Sequence, residues 1–205
     1  MSFTKKEISL LKKLNTPAKV QDFLNSIPFN FEKNKIDTIK SPIRTLRENN
    51  AHCFEGALLG AYILSLHSYE PLLLYLQSTK NKKDYDSDHV IAPFKENGYW
   101  GALSKTNHGV LRYREPIYRD IRELVMSYFH EYFLNNGTKT LRKYSEILNL
   151  NKIKTDWINY EKDLWMIDRE LNKSKHFNIL PNKIKNLRKA DKIEIEMGKI
   201  TEYKN

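Results

Sequence analysis

One residue of this chain can serve as a soft nucleophile, and its setting favours that use. Cys53 is the only cysteine among 205 residues. It falls where the polar Asn49-Asn50 pair gives way to the small, apolar run Cys53-Phe54-Glu55-Gly56-Ala57. A cysteine at a helix N-terminus faces unpaired backbone N–H groups and the positive end of the helix dipole, and both favour thiolate over thiol. A lone cysteine is as often a small buried hydrophobe, so the rest of the chain has to decide. Two further polar residues come together by counting along a hairpin. The runs 89–94 and 99–104 flank Lys95-Glu96-Asn97-Gly98, whose Asn-Gly pair is a strong hairpin signal. With the turn on Glu96-Asn97, paired positions sum to about 193, which sets Ser104 opposite His89. Both side chains then emerge at one end of a sheet.

The elements that must position these residues can be read in order. Residues 4–14 carry Ile8, Leu10, Leu11 and Leu14 behind a capping threonine, which predicts a short amphipathic helix packed on the main domain. Asn15-Thr16-Pro17 starts a second helix and Pro28 ends it; Ser41-Pro42 starts a third, reaching about Arg47. From Cys53 to about Leu66 the small apolar residues predict a helix buried on most sides. Gly56 and Gly60 there allow close approach by a neighbour. The apolar run 71–76 predicts a central strand. Residues 80–88 read as a solvated loop. A helix is expected from about Asp120 to Phe133, stopped by Asn135-Asn136-Gly137, and another from about Thr155 to Leu171. The last 25 residues are too polar to place.

A helix-borne cysteine, then a histidine opening a strand, then a polar residue closing the next, is the chain order of a known family. The sequence resembles the transglutaminase-like branch of the papain-like thiol enzymes, from about Pro17 to Asn107. The carriers are Cys53 with Phe54-Glu55-Gly56-Ala57, the Asp88-His89-Val90 segment, and Gly98-Tyr99-Trp100 leading to Ser104. The resemblance implies an α+β, papain-like fold: a helical N-terminal part packed on an antiparallel β-sheet, followed by a helical C-terminal extension. It also implies that Cys53 is the nucleophile and His89 the acid/base. The third position falls on Ser104, where the family usually has aspartate; a serine oxygen can accept the imidazole N–H but brings no negative charge. Asn107, three residues on, is the other candidate orienter. The chemistry needs all three roles: a thiolate attacks the carbonyl, an imidazole stabilises it and protonates the leaving amine, and a third group orients the ring.

Other residues carry less. Lys105 beside the site, which could favour thiolate, and Trp100, more naturally sheet core, are the substrate-binding candidates. His52, His108 and His130 show no ligand spacing on one element, so neither a metal nor any other cofactor is expected. Asp84, Asp86 and Asp88 lack the glycine and distal glutamate of a calcium loop. Arg112, Arg114 and Glu115 suit surface ion pairs better than an acidic substrate group. The net charge of +10 suits an anionic partner. From residue 138 onward, 16 Lys and Arg stand against 10 Asp and Glu, so this segment holds +6 of it, spread instead of gathered. That argues against a nucleic-acid partner.

No apolar run reaches the roughly 18 to 20 residues needed to span a bilayer, and Met1-Ser2-Phe3-Thr4-Lys5-Lys6 lacks the apolar region of a signal peptide. A cytoplasmic protein with no membrane partner is expected. The expected organisation is an N-terminal helix (1–16), a transglutaminase-like core (17–137) and a basic, mostly helical extension (138–205). The expected function is acyl transfer or amide hydrolysis through a Cys53 thioester, on a peptide or other amide-containing substrate. The alternative is a catalytically degenerate domain of the same fold that binds a peptide or protein. The oligomeric state is left open.

Overall fold

Caps and prolines set the first helices. A computed structural model describes residues 2–32, 36–81, 85–181, 183–184 and 186–204. Helix α1 (Lys5–Lys13) begins with a capping box: Thr4 Oγ1 accepts the Glu7 N–H at 3.2 Å and the Glu7 carboxylate accepts the Thr4 N–H at 2.7 Å. Its Leu11 is fully buried. Helices α2 (Pro17–Ser26) and α3 (Pro42–Glu48) each open on proline, whose missing N–H has no helical partner to lose there. Helix α4 (Cys53–Ser65) is buried from Phe54 through Leu64, as its apolar run on all sides predicts.

The strands are β1 (Leu72–Ser78), β2 (His89–Glu96), β3 (Tyr99–Leu103), β4 (Arg114–Tyr118), β5 (Leu141–Ser145), β6 (Leu148–Asn149) and β7 (His176–Asn178). They form one seven-stranded sheet in the order β4-β3-β2-β1-β5-β7, with β6 also paired to β1. Every pairing is antiparallel. Helices α5 (Ile121–Phe129), α6 (Trp165–Lys173) and α7 (Lys192–Gly198) complete the chain. The architecture is α+β. Alternation along the strands feeds two cores. Leu73, Val90, Ala92, Phe94 and Leu103 pack with α1, α2, α4 and α6 on one face. Leu74, Leu76, Ile91 and Ala102 pack with α5 on the other. No helix among the described residues is long and apolar enough to cross a membrane.

Several expectations change. The hairpin turns on Asn97-Gly98, both at positive φ, so Glu96 pairs with Tyr99 and Ala92 with Leu103. Ser104 therefore falls opposite Ile91, two residues from the predicted pairing. A shift of two keeps side chains on the same face, so His89 and Ser104 remain on one side of the sheet. The segment 138–205 is not mostly helical. It supplies β5, β6 and β7, and its Leu150, Trp157, Leu164, Ile167 and Leu171 enter the same core as α4. The helix expected over 155–171 starts only at Trp165. Asp156 turns the chain back on itself by accepting the Asn159 N–H at 3.2 Å. Helix α5 ends at Phe129, four residues early, and residues 114–118 form a further strand. Asp84 lies outside the described residues. Asp86 and Asp88, expected in a solvated loop, are tied to Thr140 and to β1.

Candidate active site

Cys53 is the first residue of α4, and the turn beneath it is built on a buried carboxylate. Glu55 is fully buried. Its oxygens accept from Asn30 Nδ2 (3.0 Å), Thr38 Oγ1 (2.8 Å), the Lys40 N–H (3.2 Å) and the His52 N–H (3.2 Å). The buried Lys40 ammonium lies 3.7 Å away. Glu55 thus satisfies an orphan donor at the helix start and ties Asn30, Thr38, Lys40 and His52 together under the cysteine. Gly56 allows the closest approach. A Cβ there would stand 2.3 Å from Lys105 Cβ, so α4 can lie against the chain that leaves β3 only because that residue has no side chain.

His89 comes from the start of β2, and Ser104 from just beyond β3. His89 Nε2 lies 2.8 Å from Ser104 Oγ, and that hydroxyl also bonds the Leu111 carbonyl. A carbonyl only accepts, so the serine proton is committed to Leu111 and its lone pair receives N–H from His89 Nε2. The other imidazole nitrogen, Nδ1, is free of that bond, and His89 lines the same cleft as Cys53. The Ser104 backbone is clamped as well. Gln21 of α2 accepts the Ser104 N–H at 2.9 Å and donates to the Ser104 carbonyl at 2.9 Å. Asp88, next to His89, is spent on β1 and its flank: it accepts from Tyr75 Oη (2.5 Å), the Ser78 N–H (2.8 Å) and Lys80 Nζ (2.6 Å).

A second imidazole adjoins the sulfur. His52 is the N-cap of α4; its Nε2 lies 2.7 Å from the Thr38 carbonyl and its Nδ1 accepts the Phe54 N–H at 3.2 Å. Burial pushes its pKa down, but the Cys53 thiol, the Glu55 carboxylate and the Thr38 carbonyl outweigh that and raise it to about 9. Protonation turns Nδ1 from acceptor to donor, so the charged ring gives up the Phe54 N–H. Burial alone would likewise push the Cys53 thiol up; hydrogen bonds from His52 and His89, with their charge, hold it well below the ordinary thiol range.

These groups open on a cleft of about 360 Å³, whose walls include Cys53, His89, Lys105, Asn107, Glu131 and Tyr132. Lys105 lines it, but its ammonium donates back to the Ile27 carbonyl, and burial lowers its pKa to about 8. Asn107 is engaged elsewhere: Nδ2 donates to the Tyr203 carbonyl at 2.9 Å and Oδ1 accepts the Tyr203 N–H at 2.8 Å. Trp100 sits at the turn end of the hairpin, outside this cleft, with Lys95 Nζ 5.3 Å from its ring centroid. Three strand residues separate it from Ser104, too far for it to share the site. His108 bonds the Gly198 carbonyl and His130 accepts from Lys139. Among the described residues, no group of three or more His, Cys, Asp or Glu side chains is gathered for a metal ion. Arg112 pairs with Glu202, and Arg114 with Glu131 on the cleft wall.

Sequence reasoning passed over Gln21, His52, Glu55 and the Leu111 carbonyl as parts of this site. Glu55 had a signal in Cys53-x-Glu55, a carboxylate inside the first turn of an otherwise apolar helix. Gln21 had one too, a polar residue inside the apolar face of α2. In comparisons with known proteins, no family model matches the chain and no curated protein does.

Proposed function

We propose that this chain is a transglutaminase-like, papain-like thiol enzyme that transfers or hydrolyses an acyl group through a Cys53 thioester. The observation that carries the reading is a cleft lined by both Cys53 and His89, with the His89 ring held 2.8 Å from the Ser104 hydroxyl. In the proposed reaction the Cys53 thiolate adds to an amide carbonyl carbon. The C–N bond then breaks, and the proton on His89 passes to the departing amine. Water or a second amine attacks the thioester carbon, gives a proton to His89, and sulfur leaves as thiolate. Ser104 keeps the ring turned towards sulfur, a positioning role, and His52 adds a second donor to the thiolate.

Ser104 also motivates a second reading, because a neutral oxygen gives imidazolium no charge to pair with: a domain of this fold that binds a peptide and turns nothing over. Iodoacetamide separates the two. The enzyme reading predicts alkylation at pH 6 within a few-fold of the rate at pH 8, whereas a thiol of pKa about 8.5 loses about 80-fold over that interval. It predicts that His89→Ala slows the reaction at pH 6. A thiol that reacts only above pH 8, indifferent to His89→Ala, would leave the binding module.

A further inference from the structure

A strand of the chain's own sequence already lies along the rim of the cleft. Residues 199–203 run antiparallel to residues 107–109, with a bridge between His108 and Thr201. The Gly109 N–H donates to the Ile200 carbonyl at 2.8 Å and the Glu202 N–H to the Asn107 carbonyl at 2.9 Å. The Asn107 side-chain amide continues the ladder by gripping both backbone groups of Tyr203. Side chains are read as well: Arg112 Nη2 holds Glu202 at 3.1 Å, and Lys105 Nζ stands 5.6 Å from the Tyr203 ring centroid. Asn107, His108 and Lys105 belong to the same cleft wall as Cys53 and His89, and Gly198, where the segment enters, lines it too.

The strand is held lightly. Thr201 and Glu202 are exposed, and α7, which delivers them, buries none of its residues. Ile193, Met197 and Ile200 stay 70%, 52% and 62% exposed. A permanent clasp would bury those side chains. What binds here is mainly main-chain pairing with one acidic and one aromatic side chain, each net hydrogen bond contributing about 0.5–1.5 kcal/mol. Segments held in this way open at low cost.

We infer that the 107–109 edge, with Asn107, Arg112 and Lys105, is a docking strand for an extended peptide carrying an acidic residue followed by an aromatic one, and that residues 199–203 are its resident occupant. Recognition is by strand addition: main-chain bonds give affinity and alternate side chains give preference. As a place for substrate it rests on the thiol reading above; as a peptide-binding edge it does not. The resident strand competes with any incoming peptide, so the competent state is only a fraction of the population and apparent affinity falls by that fraction.

The probe is a fluorescein-labelled peptide of residues 198–204, read by anisotropy in Cys53→Ala protein, so an inert thiol cannot affect the result. Protein lacking residues 199–205 is expected to bind it about tenfold more tightly than the full chain, the gain from removing a competitor closed by 1.4 kcal/mol. The full chain with Glu202→Pro, which removes the N–H given to Asn107, is expected to show the same gain should the shortened chain fail to fold. On the opened protein, a peptide with lysine in place of Glu202 binds more weakly, and Arg112→Glu restores it. Folded, opened protein that binds no peptide, or a full chain that binds as well as the opened one, would overturn the proposal. So would a lysine-bearing peptide that binds unchanged.

Discussion

The two supports of the candidate pair differ in kind. Beneath Cys53, the helix start rests on Glu55, a fully buried carboxylate with four hydrogen bonds and a buried Lys40 beside it. Behind His89, the ring rests on Ser104, a neutral hydroxyl with two partners. Charge lies under the helix and geometry under the imidazole. Removing the first should therefore cost stability, and removing the second should cost reactivity.

The largest effect is expected at Glu55. Glu55→Ala leaves the buried Lys40 ammonium with only the part-exposed Glu48 carboxylate, 3.5 Å away, as counter-charge, together with four donors that lose their acceptor, and should cost about 3–5 kcal/mol of unfolding free energy by urea titration. A loss confined to reactivity, with stability intact, would erase the distinction between the two supports. Gly56→Ala follows. Its Cβ would overlap Lys105 Cβ, and the helix and the β3 exit must part, at about 1–3 kcal/mol. Thermal melting reads this one directly.

Ser104 sharpens the comparison from the other side. Ser104→Ala should cost only about 1 kcal/mol in stability, yet slow Cys53 alkylation at pH 6, because His89 loses the acceptor on Nε2. Ser104→Asp places a carboxylate there, strengthens the imidazolium and extends the reactive range to lower pH. Asn107→Ala should leave the alkylation profile unchanged, since its amide is spent on Tyr203. A profile that follows Asn107 instead of Ser104 would reassign the orienting group.

The smallest effect is a pH dependence of stability. The His52 pKa is raised to about 9 in the fold. Its stabilising contribution is therefore complete below the unfolded value of about 6.5 and drains away as pH rises to 9. Cys53 is depressed, so its contribution is complete above about 8.5 and is lost as pH falls through its folded value. Over pH 6.5–8.5 the two slopes oppose. His52→Asn removes the His52 slope and leaves that of Cys53, so by urea unfolding the variant should gain stability with rising pH across that window, where the wild type stays nearly flat. Above it, the gap to wild type should close.

Much of this arrangement was legible in the residues because the signals were local. Thr16-Pro17 and Ser41-Pro42 marked helix starts, and Asn97-Gly98 marked the hairpin. The pairing sum was off by two, and the period of a strand forgave it: His89 and Ser104 stayed on one face. What was missed is long-range. Strand β5 pairs with β1 across more than sixty residues, and nothing in Leu141–Ser145 announces that partner. Trp157 and Ile158 looked like the start of the helix holding Leu164 and Ile167, because tertiary burial put apolar residues there without a helix to carry them. Gln21 and Glu55 went unread for the same reason, since their partners Ser104, Asn30 and Thr38 are brought to them by the fold.

The proposed function stands on Cys53 being held as a thiolate by an oriented His89. Its most direct test is the ultraviolet thiolate absorbance of Cys53 followed against pH, in the wild type and in His89→Ala. The expected midpoint lies well below the ordinary thiol value of about 8.5 in the wild type and moves upward in His89→Ala. An ordinary midpoint that is the same in both proteins would contradict it.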